Sequence, residues 1–180
     1  FGFANGWANM GLRSAVVPLF VSQLLSGEPW AAGAIVAVGA VGNVLALQWA
    51  GRASDRLGRR PLILVGVAIA FVGIVLFAIT GALWFAFVAS FVAGLGSGLS
   101  APAEQAAIAD LIGRDRSGGR PLAVFQMSQD VGQIAGPMVA GLIIDAWGYP
   151  WAFGAAALVM AVPFVAWLLA LRTLRKHLGL

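Results

Sequence analysis

The chain has 180 residues, 61% of them hydrophobic and only 10% charged, with a formal net charge of +4. Soluble domains carry about 25% charged residues, so this composition excludes an ordinary water-soluble fold. It contains no cysteine and a single histidine, which excludes disulfides, thiolate sites and histidine-rich metal centres, and no cofactor is expected.

A helix crossing a hydrocarbon core of ~30 Å needs about 20 residues. Six apolar runs meet that length, at 1–21, 30–50, 61–80, 83–109, 121–145 and 150–171. They predict an all-α integral membrane protein. Phe1 already stands in an apolar run, with no basic leader or cleavage site before it, so the chain reads as starting inside a helix, as a fragment would.

The first run carries Asn5, Asn9 and Arg13 at a spacing of four, which puts them on one helix face. After the second run comes Gly51 to Arg60, G-R-A-S-D-R-L-G-R-R, too charged for hydrocarbon and therefore expected as a short surface loop. The fourth run places Ser90, Ser97, Ser100 and Glu104 on roughly one face. Its Gly94-Leu95-Gly96-Ser97-Gly98 stretch marks close helix packing rather than nucleotide binding. Glu104 lies near Asp110 and reads as a structural tie to the basic loops. In the fifth run Gln126, Gln129, Asp130 and Gln133 share a face, with Asp130 about 15 Å along the helix. An ionisable residue at that depth faces a cavity or a partner. The two polar stripes predict an aqueous cavity, with Arg13 and Asp130 coupled across it or forming a structural pair.

Arginine and lysine fix the orientation. Arg52, Arg56, Arg59 and Arg60 follow the second run, Arg114, Arg116 and Arg120 the fourth, and Arg172, Arg175 and Lys176 the sixth. With alternating helices these all fall on one side, expected to be cytoplasmic, of a plasma (inner) membrane. Trp30, Trp84, Trp147 and Trp151 then sit at the opposite interface. This clustering between apolar runs argues against nucleic acid as the partner of the positive charge.

Shifted by 90 residues, the chain partly matches itself. Gly51, Asp55 and Gly58 fall on Gly141, Asp145 and Gly148, Val41-Gly42 on Val131-Gly132, and Ala50 on Ala140. Three helices separate the copies, an odd number, so the second copy is inverted. Two inverted three-helix repeats are a hallmark of secondary transporters.

The pattern G-x-x-x-D-R-x-G-R-R at Gly51–Arg60 resembles the signature loop of the major facilitator superfamily. The run Gly132, Gly136, Pro137, Ala140 and Gly141 is similar to that family's G-x-x-x-G-P-x-x-G-G motif, with Ala140 at one glycine position. The resemblance implies that Asp55, Arg56, Arg59 and Arg60, hinged on Gly51 and Gly58, form a cytoplasmic latch with Asp110. The alternative is that these arginines only set topology. The amino-terminal half of the family carries an arginine in its fourth helix. Here Ala89 to Gly94 has none, so the chain resembles the carboxy-terminal half, helices 7–12, with a missing amino-terminal six-helix half as its partner.

Two functional readings follow. In the first, the chain is half of a secondary transporter that moves a small molecule across the bilayer by alternating access, with proton-coupled efflux of drug-like compounds expected and uptake or facilitated transport of a sugar or metabolite the alternative. In the second it is a non-transporting six-helix scaffold or a homodimeric module. No phosphate loop and no nucleophile–base set is present, so neither an ATP-driven pump nor an enzyme is expected. Asn5, Asn9, Arg13, Gln126, Gln129, Asp130 and Gln133 are the cavity candidates.

Overall fold

The computed structural model describes residues 2–25, 28–112 and 119–177. Within these the chain is helical throughout: α1 (residues 2–25), α2 (Pro29–Leu57), α3 (Arg59–Ile79), α4 (Leu83–Ile112), α5 (Gly119–Trp147) and α6 (Tyr149–His177). Pro29 opens α2 at a position where a missing N–H costs nothing. In α1 the hydrogen bonds widen to i→i+5 over Gly6–Val16 and Val21–Leu25, the π form found mostly in short stretches at functional sites.

Three stretches of the described residues are long and apolar enough to cross a membrane: Trp30–Ser54, Arg59–Ile79 and Leu83–Ala109. The shorter stretch Tyr149–Val162 is also apolar. Trp30, Trp84, Trp147 and Trp151 are all exposed, as are Ile79, Val131, Ile134 and Leu142. In water such a surface would be an aggregation hazard, and in lipid it costs nothing.

The helices pair in a regular way. α1 packs along α5, α2 along α4, and α3 along both α4 and α6, while α4 and α5 touch only slightly. A shift of three helices turns the α1–α5 pair into α4–α2 and maps α3–α6 onto itself, but the most extensive pair, α3–α4, has only a slight counterpart in α6–α1. Glycine permits the closest of these crossings. A methyl group on Gly94 of α4 would run into the Gly39 carbonyl of α2, and one on Gly96 would meet the backbone of Ala70 on α3. The Gly94–Gly98 stretch is thus a packing element on two faces, as expected. Gly132 and Gly136 of α5 play the same part against Phe3 and Trp7 of α1.

The end of the bundle remote from the arginines is closed by aromatics. Phe153 of α6 stacks on Phe77 of α3 at 5.4 Å and meets Phe20 of α1 edge-on at 5.3 Å. Tyr149 donates from its hydroxyl to Gln23 Oε1 at 2.6 Å, tying the start of α6 to the end of α1.

One expectation is corrected here. Gly51 to Arg60 is not a loop. α2 runs on through Leu57, Gly58 alone breaks the helix, and α3 begins at Arg59. Charge marks where hydrocarbon ends, not where helix ends, and no helix breaker stands between Gly51 and Gly58. Gly58 adopts φ 86° and ψ 159°, a region open essentially to glycine alone. Its N–H donates to Ser54 O at 3.0 Å. Gly148, ninety residues on, has φ 92° and donates to Ile144 O at 2.9 Å. The same device breaks the chain at both positions.

Candidate functional site

Four helices leave a cavity of about 520 Å³ between them. α1 contributes Asn5, Arg13 and Ser14, α2 Asn43, α4 Ser97, Glu104 and Gln105, and α5 Gln129 and Gln133. Phe125, Val36 and Val44 supply apolar wall. A second cavity of about 530 Å³ adjoins it between α4 and α5 and shares Gln105, Phe125 and Gln129 with it. The two lie side by side where α4 and α5 barely meet.

Ser97 organises the upper part of the cavity. It is 8% exposed, and its Oγ receives hydrogen bonds from Arg13 Nη1 at 3.3 Å and Asn43 Nδ2 at 3.0 Å. The hydroxyl itself donates to Gly94 O, one turn back in α4, at 3.0 Å. That last bond fixes the rotamer, so the oxygen lone pairs point at α1 and α2. Gly39 lies next to the Arg13 guanidinium, where a larger residue would meet it. Seven residues along α4, Glu104 is 5% exposed and accepts at Oε2 from Asn5 Nδ2 at 2.8 Å. Its other oxygen, Oε1, is buried with no hydrogen-bond partner.

The sequence-predicted residues divide accordingly. Asn5, Arg13, Gln129 and Gln133 are brought together at one cavity, and Gln126 lines the adjoining one. Asp130 lines neither and is exposed. It follows Gln129 by one residue, which turns it about 100° around the helix and away from the cavity. Arg13 therefore meets Ser97 rather than Asp130. The side chain of Asn9 lies outside the described residues. Asn43, Ser97 and Glu104 are site residues that sequence reasoning did not assign. Their signal was present for Ser97 and Glu104, which share a face of α4. Asn43 offered only an isolated polar residue in an apolar helix.

At the basic end, Arg59, the first residue of α3, donates to Ala106 O near the end of α4. A cation there also suits the negative end of the α4 dipole. Arg52, Arg56 and Arg60 are exposed, and the side chains of Asp55 and Asp110, like Arg114 and Arg116, lie outside the described residues. Gly51 has open space where a Cβ would stand, and so does its counterpart Gly141.

With this arrangement in view, comparison with known proteins is decisive about kinship. The Major Facilitator Superfamily profile matches residues 1–179. The class C tetracycline resistance protein of Escherichia coli is 31% identical over 137 residues, 74% of this chain and 34% of that protein. The multidrug resistance protein B homolog of Mycobacterium tuberculosis is 33% identical over 138 residues, 71% of this chain and 25% of that protein. A crystal structure of the peptide transporter POT in complex with sulfate superposes with a TM-score of 0.84 at 22% identity, covering 99% of this chain and 37% of the other.

The chain belongs to the Major Facilitator Superfamily. It is an all-helical integral membrane protein of a transporter family, not an enzyme. It spans 34% and 25% of the lengths of the two relatives just described.

Proposed function

We propose that the chain is the carboxy-terminal six-helix half, helices 7–12, of a secondary transporter that moves a drug-like small molecule by alternating access. The observation that carries the reading is the polar cavity walled by α1, α2, α4 and α5, which holds both an arginine and a carboxyl, Arg13 and Glu104. Kinship with tetracycline and multidrug resistance proteins supports efflux; in this reading the energy source is a proton gradient. The complementary bundle lies in the remainder of the protein and supplies the other wall.

Six spans in two inverted three-helix repeats are part of this reading. The pair exchange under a three-helix shift and the matched glycine breaks at Gly58 and Gly148 support it. The basic end, Gly51–Arg60 and Arg114–Arg120 with the C-terminal Arg172, Arg175 and Lys176, faces the cytoplasm of a plasma (inner) membrane. There Asp55, Arg56, Arg59 and Arg60 act with Asp110 as a latch, and the Arg59–Ala106 bond is the part of it that ties α3 to α4.

The test is transport of tetracycline and a cationic dye by inverted membrane vesicles bearing the complete protein. Accumulation that follows an imposed pH gradient and collapses with a protonophore supports coupled efflux. Vesicles that leave both compounds at equilibrium under every gradient contradict it.

A further inference from the structure

We propose that Glu104 and Arg13 are the two charged poles of one binding site, and that the site takes a dipolar small molecule, cationic at one end and anionic at the other. The inference rests on the transporter reading and names the substrate class of its cavity.

Glu104 is nine-tenths buried and lines the cavity. Asn5 satisfies Oε2, but Oε1 has no partner. Ser100, one turn back on α4, is the other side chain that hydrogen-bonds to Glu104, so both of its partners are neutral, and a buried carboxylate held by neutral groups alone calls for a cation. At the other pole, Arg13 presents five N–H donors in a planar fork. One reaches Ser97 Oγ at the long distance of 3.3 Å, and a neutral hydroxyl cannot balance the charge. Charged residues inside a bundle pair with one another or with backbone carbonyls, and among the described residues no ion pair joins Arg13 to an acidic residue.

The two charges do not reach each other because of their register. Arg13 meets α4 at Ser97 and Asn5 meets it at Glu104, seven residues apart on α4 and eight on α1. Both spacings put the poles about 10 Å apart along the helices. A ligand of that length with a cationic or ammonium group at one end and a carboxylate, enolate or phosphate at the other engages both. A singly charged ligand leaves one pole buried and unmatched, which is how a site rejects it. The apolar wall of Val36, Val44 and Phe125 then covers the body of the molecule.

The experiment is equilibrium binding to the complete protein in lipid nanodiscs. Three probes share one fluorescent core about 10 Å long: one with an ammonium and a carboxylate at opposite ends, one with the ammonium alone, one with the carboxylate alone. The expected result is that the dipolar probe binds at least about tenfold more tightly than either other, one unpaired charge being worth that much or more. Glu104→Gln should bring its affinity down to that of the carboxylate probe and leave the latter unchanged. Arg13→Gln should bring it down to that of the ammonium probe. Wild-type protein with no preference for the dipolar probe, or a preference that survives Glu104→Gln, overturns the proposal. Should Glu104→Gln weaken all three probes alike, Glu104→Asp decides: a retained preference supports the charged pole, and uniform loss overturns it. The expected binding pattern without gradient-driven movement in vesicles sinks the transport reading and leaves the site standing.

Discussion

Arg13 on α1 donates to Ser97 Oγ on α4 at 3.3 Å, so a part-buried guanidinium is held by a hydroxyl that a backbone carbonyl has already oriented. The same oxygen holds Asn43 of α2. Three helices are pinned at one atom, and the direction of the Arg13 fork depends on it.

Ser97→Ala therefore releases both partners at once. Each lost hydrogen bond is worth about 1 kcal/mol, and one to a charged group somewhat more. We expect affinity for a transported compound to fall roughly tenfold, since 1.4 kcal/mol is a factor of ten, with thermal stability reduced by a few degrees at most. Ser97→Thr keeps the hydroxyl and should recover most of the affinity. Binding isotherms and melting curves on the same samples check both statements.

The α2–α4 crossing makes a second prediction. Gly94→Val forces a side chain into the Gly39 backbone, which cannot yield as a flexible side chain would. The variant should lose folded yield in detergent, measured as the monodisperse fraction on size exclusion. Gly51→Ala has open space and a helical backbone. Within this bundle it should be neutral or stabilising by up to about 1 kcal/mol. A transport defect in Gly51→Ala with normal folding would then report contact with the other half of the protein.

Gly58 and Gly148 should respond alike. Alanine at either must adopt a backbone region that costs about 1–3 kcal/mol while the N–H bonds to Ser54 and Ile144 resist relaxation. Thermal unfolding of Gly58→Ala and Gly148→Ala should show similar losses. A large loss at one and none at the other would argue against their equivalence.

Arg59→Gln removes the charged donor to Ala106 O, and neither residue lines the cavity that holds Arg13 and Glu104. Under the latch reading, substrate affinity stays within about twofold of wild type, less than 0.5 kcal/mol, while transport rate falls. Parallel loss of both would move Arg59 from gating to general stability.

The helical segments themselves were legible in the sequence, because arginine clusters and tryptophans punctuate the apolar runs. The ninety-residue match pairs Gly58 with Gly148, and both have positive φ. The helical continuation from Gly51 to Leu57 was not legible, since charge patterning locates the water interface and says nothing of hydrogen bonding. At the site, Arg13 was found by its isolation in an apolar run, but its partner was not. Asp130 and Glu104 are both lone carboxyls in apolar helices, and depth along the helix favoured Asp130. The facing direction decided otherwise, and that is set by how α4 and α5 rotate against α1, which a single sequence does not state.

The central claim is that the cavity between α1, α2, α4 and α5 is where the transported molecule sits. The chain contains no cysteine, so single cysteines can be introduced without background from it. With any cysteines in the rest of the protein replaced, Asn43→Cys and Gln133→Cys report on the cavity and Leu142→Cys on the exposed apolar surface. A membrane-impermeant thiol reagent should label the two cavity positions, and a transported compound should slow that labelling at least about tenfold when it occupies nine-tenths or more of the sites, a concentration of roughly ten times its Kd. Leu142→Cys should stay unlabelled with or without the compound. Labelling of Asn43→Cys and Gln133→Cys that is indifferent to saturating compound would contradict the account.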